Sequence, residues 1–465
     1  MESEIRKKKP ITLDRRRFLR LVGAAATGGT AAAITPVWAG KEEKMDTFSP
    51  SARESERGFW RRIGHEFVLD PRTTYMNVGT TGSMPRHVIA NFNRYNKLVA
   101  RDPSEMGGEW GSWPYMSELV ARIAPQMGAD THEIVLNRNT TDGMCTVLEG
   151  LNLQPGDEVL YTHHEHVAGT SPLHVLQQRF GVTLTKVEIP VLDATEQGYV
   201  DAFADAVSPA TRLIVFSHIT YKTGARLPAN RICQEVAVPN GIPTLIDGAH
   251  TIGMIDLDFH EMDCDFYAGS GHKWQCGPGA TGILYVRDNL NRLRDYWSDR
   301  QEVFWPINSS LAEYGFFGLQ LQLQYVGNDN YPAKRALADA CDMWDSIGRE
   351  RIENYVLSLS AYCKLRIRQA FGDSVVIYSP DAPELSSGLT AFNPFDDRTD
   401  GAAMSEFRDR LREEYGFIVR TTDFHVTLDG PEEHALRIST HLFHDARDVE
   451  ALVAAMYNLF VDMTG

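Results

Sequence analysis

Short apolar runs alternate with amphipathic stretches along most of the chain from about residue 75. Runs of this length, bounded by turn residues, are typical of buried β-strands. They cover residues 133–136, 157–161, 213–216, 243–246, 265–268 and 282–286. Helical patterns fall between them, for example over 117–127 and 230–238. This alternation predicts an α/β domain in which a mostly parallel sheet lies between helices.

The pattern changes after about residue 326. Helical periodicity covers 333–357, 402–414 and 446–460, and strand-like runs cover 375–378 and 436–439. We therefore expect a large domain over 75–325 and a smaller C-terminal α+β domain over 326–465. Residues 40–74 are polar and charged, and they predict a mobile lead-in to the large domain.

The first 39 residues have the composition of an export signal. A basic run at Arg6–Lys9 and the segment Asp14–Arg20 precede a stretch rich in Ala, Gly and Thr that ends in Val37-Trp38-Ala39. The stretch is too weakly hydrophobic for a membrane anchor. Its Arg-Arg-x-Phe-Leu pattern resembles a twin-arginine (Tat) signal, with Asp14 where Ser or Thr is usual. We expect the Tat export machinery as a partner, cleavage near Ala39 and a periplasmic protein; a basic amphipathic arm is the alternative.

Charge and cysteine content narrow the classes of partner. The formal net charge is −16, and removal of the +5 carried by residues 1–39 leaves −21. A polyanion is repelled by nucleic acid and by anionic membrane surfaces, so neither is expected as a main partner. The six cysteines form no CxxC pair and no histidine cluster has metal-ligand spacing, so we expect no metal site.

Two strand ends carry an acid and an amine. Asp247 comes directly after the run 243–246, and Lys273 follows the run 265–268 through a Gly-rich turn. The 26 residues between them fit one strand–helix–strand unit. Because ligands of open α/β sheets bind beyond the carboxyl ends of strands, both side chains are expected to face one pocket.

This pair suits pyridoxal 5′-phosphate (PLP), an electron sink for carbanions. Lys273 can bind the cofactor's aldehyde carbon as an imine, and Asp247 can keep the pyridine nitrogen protonated. Asn139-Thr140-Thr141 precedes a helical pattern and offers N–H groups and hydroxyls to the phosphate, while His166 can stack on the ring. Each residue alone is more often a helix cap or a structural histidine, but the joint pattern predicts a PLP site.

The residues around this pair carry a family resemblance. Asp247-Gly-Ala-His250, Gly269-Ser-Gly-His-Lys-Trp274 and Gly277-Pro-Gly-Ala-Thr-Gly282 resemble the signature of the class V aminotransferase family of PLP fold type I. The first two segments resemble its isopenicillin N epimerase-like branch in particular. The resemblance runs from about Tyr75 to the C-terminus and implies a homodimer with its sites at the subunit interface.

The resemblance also implies roles for individual residues. Catalytic roles fall on Lys273, Asp247 and His166, of which His166 stacks on the cofactor. Further cofactor ligands are Ser270, His272, Thr140 and Thr141 at the phosphate, and His250 near the phenolic oxygen. Arg437 matches the arginine that binds the substrate α-carboxylate, since a planar guanidinium can bond both of its oxygens. Asn77 and Thr81 lie in a segment, Tyr75–Gly82, that resembles the family's loop beside the substrate. Asn328 stands where desulfurases have a threonine whose hydroxyl reaches the partner's phosphate.

The reaction is less determined than the cofactor. Cysteine desulfurases need a nucleophilic cysteine after a Val-Arg segment, which here is 418–425, and no cysteine follows Cys363. The export signal and the segment from Asn77 to Pro85 resemble the periplasmic PLP enzymes that tailor pyoverdine siderophores. The leading hypothesis is modification of the amino group or side chain of an amino-acid moiety. The alternatives are a racemase or C–S lyase acting on a free amino acid, and an exported PLP-binding protein without turnover.

Overall fold

The structure is a computed structural model that describes residues 48–49, 54–106, 113–372 and 375–465. The predicted export signal and its cleavage site lie outside the described residues. Within the described ranges, no helix combines the length and the apolar character needed to cross a bilayer.

The strands and helices are named here in chain order. The strands are β1 (Thr74–Tyr75), β2 (Ile134–Asn137), β3 (Glu158–Thr162), β4 (Thr183–Val187), β5 (Thr211–Ser217), β6 (Thr244–Gly248), β7 (Phe266–Ser270), β8 (Gly282–Val286), β9 (Val376–Ile377), β10 (Leu389–Asn393), β11 (Phe417–Ile418), β12 (Arg420–His425) and β13 (Glu432–Ser439). The helices are α1 (Glu56–Gly64), α2 (Arg86–Arg101), α3 (Trp113–Ile123), α4 (Thr140–Gly150), α5 (Val167–Phe180), α6 (Glu196–Ala206), α7 (Ala229–Arg231), α8 (Phe259–Met262), α9 (Asn291–Tyr296), α10 (Leu319–Gln324), α11 (Tyr331–Ile347), α12 (Arg349–Phe371), α13 (Gly401–Tyr415) and α14 (Ala446–Thr464).

A seven-stranded sheet forms the centre of the large domain. Its order is β2-β8-β7-β6-β5-β3-β4, and every neighbouring pair is parallel except those that β8 makes. Strands β6, β7 and β8 are buried at every position, because separate apolar clusters cover the two faces of the sheet. The predicted mostly parallel α/β domain is confirmed.

The register of the central strands aligns their carboxyl ends. Ser217 of β5 pairs with Asp247 of β6, and Asp247 pairs with Ala268 of β7. On the far side of β8, strand β2 leads into α4, whose cap Asn139 accepts a hydrogen bond from the backbone N–H of Asp142. One edge of the sheet thus brings together three strand ends, and a helix N-terminus follows nearby.

A four-stranded antiparallel sheet of order β12-β13-β10-β9 forms the second, smaller domain. Helices α12, α13 and α14 pack on it around an apolar cluster that includes Phe392, Phe407 and Leu436. This architecture confirms the predicted smaller α+β domain. Strand β1 precedes the large sheet in the chain and pairs in parallel with β11 of the C-terminal part. The start of the large domain is therefore in contact with the small domain.

Two segments differ from the pattern read in the sequence. Residues 333–357 are predicted as one helix, but Gly348, with φ of 98°, separates α11 from α12. Helix α11 packs against α2 and α3 within the core of the large domain. Inside the predicted mobile lead-in, residues 56–64 form α1 and bury Phe59, Trp60 and Ile63. Three apolar side chains spaced along one helical face outweigh the polar composition of that segment.

Candidate active site

Lys273 lies in a turn directly after β7 that backbone hydrogen bonds hold in place. Gly271 donates its N–H to Thr281 O at 2.9 Å, and Cys276 donates to Lys273 O at 3.1 Å. Burial lowers the pKa of the Lys273 amine to about 8; the Asp247 carboxylate opposes this shift, and Arg437 and Arg420 add to it. A lowered pKa makes a neutral, nucleophilic amine accessible near neutral pH.

Asp247 lies near the end of β6 and is only 4% exposed. Its Oδ1 accepts a hydrogen bond from the N–H of Ala249 at 2.8 Å. Burial raises the pKa of this carboxyl, while the Lys273 amine acts in the opposite direction. A desolvated carboxylate gains most from a positively charged partner, which a protonated ring nitrogen would provide.

The residues predicted to bind the phosphate lie at the start of α4 and the end of β7. The Thr140 and Ser270 hydroxyls lie 2.7 Å apart, and both residues are buried. Thr141 is exposed in the same first turn of α4. The Nδ1 of His272 is buried and has no hydrogen-bond partner among the described residues. Hydroxyls, an unsatisfied imidazole nitrogen and a helix N-terminus are the groups that bind a phosphate.

The histidines His166 and His250 are both held with their Nδ1 as acceptor. His166 caps α5 and accepts from Ala168 N at 3.1 Å, and its ring meets Tyr221 edge-on with centroids 4.9 Å apart. His250 accepts from the indole N–H of Trp274 at 3.2 Å. Burial lowers the pKa of His166 to about 4, and the positive charge of Lys273 adds to this effect. The same two causes hold the pKa of His250 well below its usual value. Both rings are therefore neutral, with the proton on Nε2.

The mouth loop, Tyr75–Gly82, covers this group of residues. A Cβ placed on Gly79 would lie 3.2 Å from both Arg437 Nη2 and His250 Cε1, and one on Gly82 would lie 2.0 Å from Lys273 O. Gly82 also donates its N–H to His272 O at 2.8 Å. The loop thus places the predicted carboxylate site next to the lysine segment.

The predicted substrate residues of this loop make hydrogen bonds within the protein. Asn77 Oδ1 accepts from the Thr80 hydroxyl at 2.9 Å, and the Thr81 hydroxyl lies 3.3 Å from His272 O. Both side chains therefore fix the shape of the loop in this structure. Asn328 is exposed in this structure.

Arg437 is 2% exposed although it carries a full charge. Its Nη1 donates to Tyr221 O at 2.7 Å, and its Nε has no partner among the described residues. Burial, with Arg420 adding, lowers the pKa of Arg437 to about 10. A buried guanidinium with unsatisfied donors fits a carboxylate ligand.

The sequence reading misses two functional candidates. Arg420 is the direct cross-strand partner of Arg437, and only the β12–β13 register shows this. Glu165 is buried beside the strand ends and accepts from the Ser217 N–H at 3.0 Å and the Ser217 hydroxyl at 2.6 Å. Burial raises the pKa of Glu165 to about 7. An acid between His164 and His166, just past a strand, is the signal that could have found it.

Together these residues fit PLP, because each part of the cofactor has a matching group. The amine of Lys273 suits the aldehyde and Asp247 suits the ring nitrogen. The unsatisfied His272 nitrogen and the Thr140–Ser270 pair suit the phosphate.

Comparisons with known proteins agree with this chemistry. The class-V aminotransferase family matches residues 74–452. Isopenicillin N epimerase from Amycolatopsis lactamdurans is 28% identical over 408 residues, which cover 86% of this chain and 98% of the epimerase. Cysteine desulfurase from Cronobacter sakazakii is 30% identical over 336 residues, covering 70% and 78% respectively.

Two solved structures share the fold. A mutant of C-DES, with glycine covalently linked to its PLP cofactor, superimposes with a TM-score of 0.69 at 23% identity, covering 85% of this chain and 98% of C-DES. The cysteine desulfurase CsdA from Escherichia coli gives a TM-score of 0.68 at 22% identity, covering 86% and 98%. The predicted PLP fold type I and its cofactor are confirmed. The chain belongs to the class-V aminotransferase family and is a PLP-dependent enzyme.

Proposed function

We propose that this protein is a periplasmic enzyme that modifies the amino group or side chain of an amino-acid moiety, in the maturation of a pyoverdine-type siderophore. The amino-acid part of the proposal rests on the buried Arg437 guanidinium. It lies beside Gly79 of the mouth loop, and the same loop contacts the Lys273 segment. An α-amino acid needs these two groups together, one for its carboxylate and one at its amino-bearing carbon. The Arg-Arg-x-Phe-Leu pattern in the first 39 residues supports export, and the mouth-loop sequence supports the siderophore role.

The residues of this chain have separate roles in binding the cofactor, orienting the substrate and transferring the proton. PLP, when bound, supplies an electron sink for the substrate α-carbon. Lys273 would hold the cofactor and, once its amine is free, could take or return the α-proton. Asp247 would bind the protonated ring nitrogen, and His166 would lie over the ring. Arg437 would bind the α-carboxylate and so orient the α-carbon toward Lys273.

The lack of a cysteine after Cys363 supports a reaction other than desulfuration. Strand β12 occupies the region where desulfurases carry their nucleophilic cysteine, and the sequence has none after Cys363. Cys276 is near Gly82, but burial raises the pKa of its thiol, so it is a poor nucleophile.

Holoenzyme mixed with candidate amino acids, followed by cofactor absorbance, tests the proposal. If the enzyme is a transaminase, the pyridoxamine form of the cofactor should accumulate. Turnover without this form would exclude transamination and favour racemisation, which the similarity to isopenicillin N epimerase supports. Lys273→Ala should lose the absorbance of lysine-bound cofactor and at least about 1,000-fold in turnover, since it removes both the cofactor link and the base. Lys186→Ala, an exposed change in β4, should keep both. Retained absorbance in Lys273→Ala would refute the site.

Comparing the metabolites of a deletion strain with those of its parent by mass spectrometry tests the siderophore part. We expect a precursor with an unmodified amino-acid moiety to accumulate, and periplasmic fractions of the parent to contain the protein. Unchanged siderophore composition would exclude this role.

A further inference from the structure

Two arginines lie directly opposite each other at the mouth of the site. Arg420 of β12 and Arg437 of β13 are cross-strand partners in an antiparallel ladder. Side chains at such positions leave the same face of the sheet with Cβ atoms about 5 Å apart, and like charges placed there repel. A stable fold keeps such a pair when a negatively charged group offsets the repulsion between the two guanidinium groups.

No acid of the described chain offsets this pair. Neither guanidinium lies within 4.0 Å of a carboxylate among the residues that the structure describes. Asp423 is also in β12, but the alternation of a strand places it on the opposite face from Arg420. Asp423 lies 3.9 Å from Lys222 Nζ instead. The two positive charges are therefore left for a ligand.

The arginines occupy different depths. Arg437 is buried and tied to Tyr221 O, and its Nη2 lies beside Gly79. Arg420 is exposed, and its Nη1 donates to the Thr80 hydroxyl of the mouth loop at 3.1 Å. The buried Arg437 guanidinium thus bonds a backbone carbonyl, and the exposed Arg420 guanidinium bonds a hydroxyl nearer the protein surface. This arrangement suits two anionic groups at two depths better than one carboxylate shared by both.

We propose that the substrate carries a second acidic group besides its α-carboxylate, and that Arg420 binds this group while Arg437 binds the α-carboxylate. The proposal rests on the proposed function in so far as the substrate is an amino-acid moiety. Arg420 is then a specificity-determining residue, and the substrate class is an amino acid with an acidic side chain or an equivalent second anion nearby.

Binding of simple diacids to holoenzyme tests this assignment. Succinate, glutarate and adipate are compared with their monoamides by isothermal titration calorimetry. In the wild type, the best diacid should bind about 10- to 100-fold more tightly than its monoamide, the range for a charge-assisted contact. Arg420→Gln should abolish that difference and leave the monoamide affinity unchanged. Arg437→Gln should weaken both ligands, and Arg412→Gln, an exposed control, should weaken neither.

Three results would overturn the proposal. They are equal weakening of diacid and monoamide by Arg420→Gln, no preference for any diacid in the wild type, and no detectable binding of any diacid. Because binding is scored without turnover, these results are distinct from failure of the proposed function, which appears as unchanged cofactor absorbance with all amino acids.

Discussion

The amine of Lys273 has opposing electrostatic neighbours. Burial and two arginines favour its neutral form, while the carboxylate of Asp247 favours the ammonium, and the balance leaves its pKa at about 8. Arg437 and Arg420 both lower the pKa of the lysine. If they also bind the anionic groups of the substrate, as we propose, one group of charges sets both recognition and reactivity.

The rate at which apoenzyme captures PLP should follow this ionisation. Below pH 8 the amine is mostly protonated, so the rate should rise about tenfold per pH unit and level off above 8. Asp247→Asn removes the carboxylate that favours the ammonium, so its plateau should begin at a lower pH. Stopped-flow absorbance between pH 6 and 10 measures both profiles. A rate that still rises steadily beyond pH 9 would show an unperturbed lysine.

At the scale of elements, the mouth loop and the turn after β7 are in close backbone contact. A Cβ on Gly82 would lie 2.0 Å from Lys273 O and 2.8 Å from Cys276 Sγ. Gly82→Ala should therefore displace the lysine turn and weaken PLP affinity. A displacement of about 1 Å at a reacting group slows a reaction about 100-fold, and we expect a loss of affinity of that order. Equilibrium titration of apoenzyme with PLP measures it. Gly279→Ala is the matched control, because a Cβ there meets nothing within 4 Å; equal affinities in the two variants would contradict the argument.

The elements also show how far sequence reasoning reached. Continuous apolar runs gave six strands of the large sheet, since strands buried on both faces leave that pattern. Strand β4 was missed because it is an edge strand that buries only Val187. Lys273 and Asp247 could be placed because each follows its own strand. The pairing of Arg420 with Arg437 could not, because it depends on the register of two distant strands.

At the scale of the whole molecule, the segment between β8 and α11 exposes several large apolar side chains. Trp305 is 50%, Ile307 63%, Phe316 44% and Val326 39% exposed. The backbone N–H of Trp305 donates to Gly150 O at the end of α4, and Val326 shares a cleft with Arg138 just before that helix. An apolar surface flanking α4 fits the homodimer that the resemblance to fold type I predicts.

Disrupting this surface should separate the subunits. Ile307→Asp places a charge in the expected interface and should raise the dimer dissociation constant more than about tenfold. Analytical ultracentrifugation of holoenzyme measures the change. Leu365→Asp, a similarly exposed leucine on α12, is the control and should remain dimeric. A wild-type monomer, or a dimer unaffected by Ile307→Asp, would place the interface elsewhere or exclude it.

Helix α1 has a consequence for synthesis of the protein. Its Trp60 stacks on Tyr355 with ring centroids 3.9 Å apart, and Glu56 Oε2 accepts from Arg351 Nη2 at 2.6 Å. The partners of this early helix are translated almost three hundred residues later, so α1 stays undocked on the ribosome until the large domain and the start of α12 have been synthesised. Its docking then reports that the large domain is complete, close behind the segment predicted to direct export.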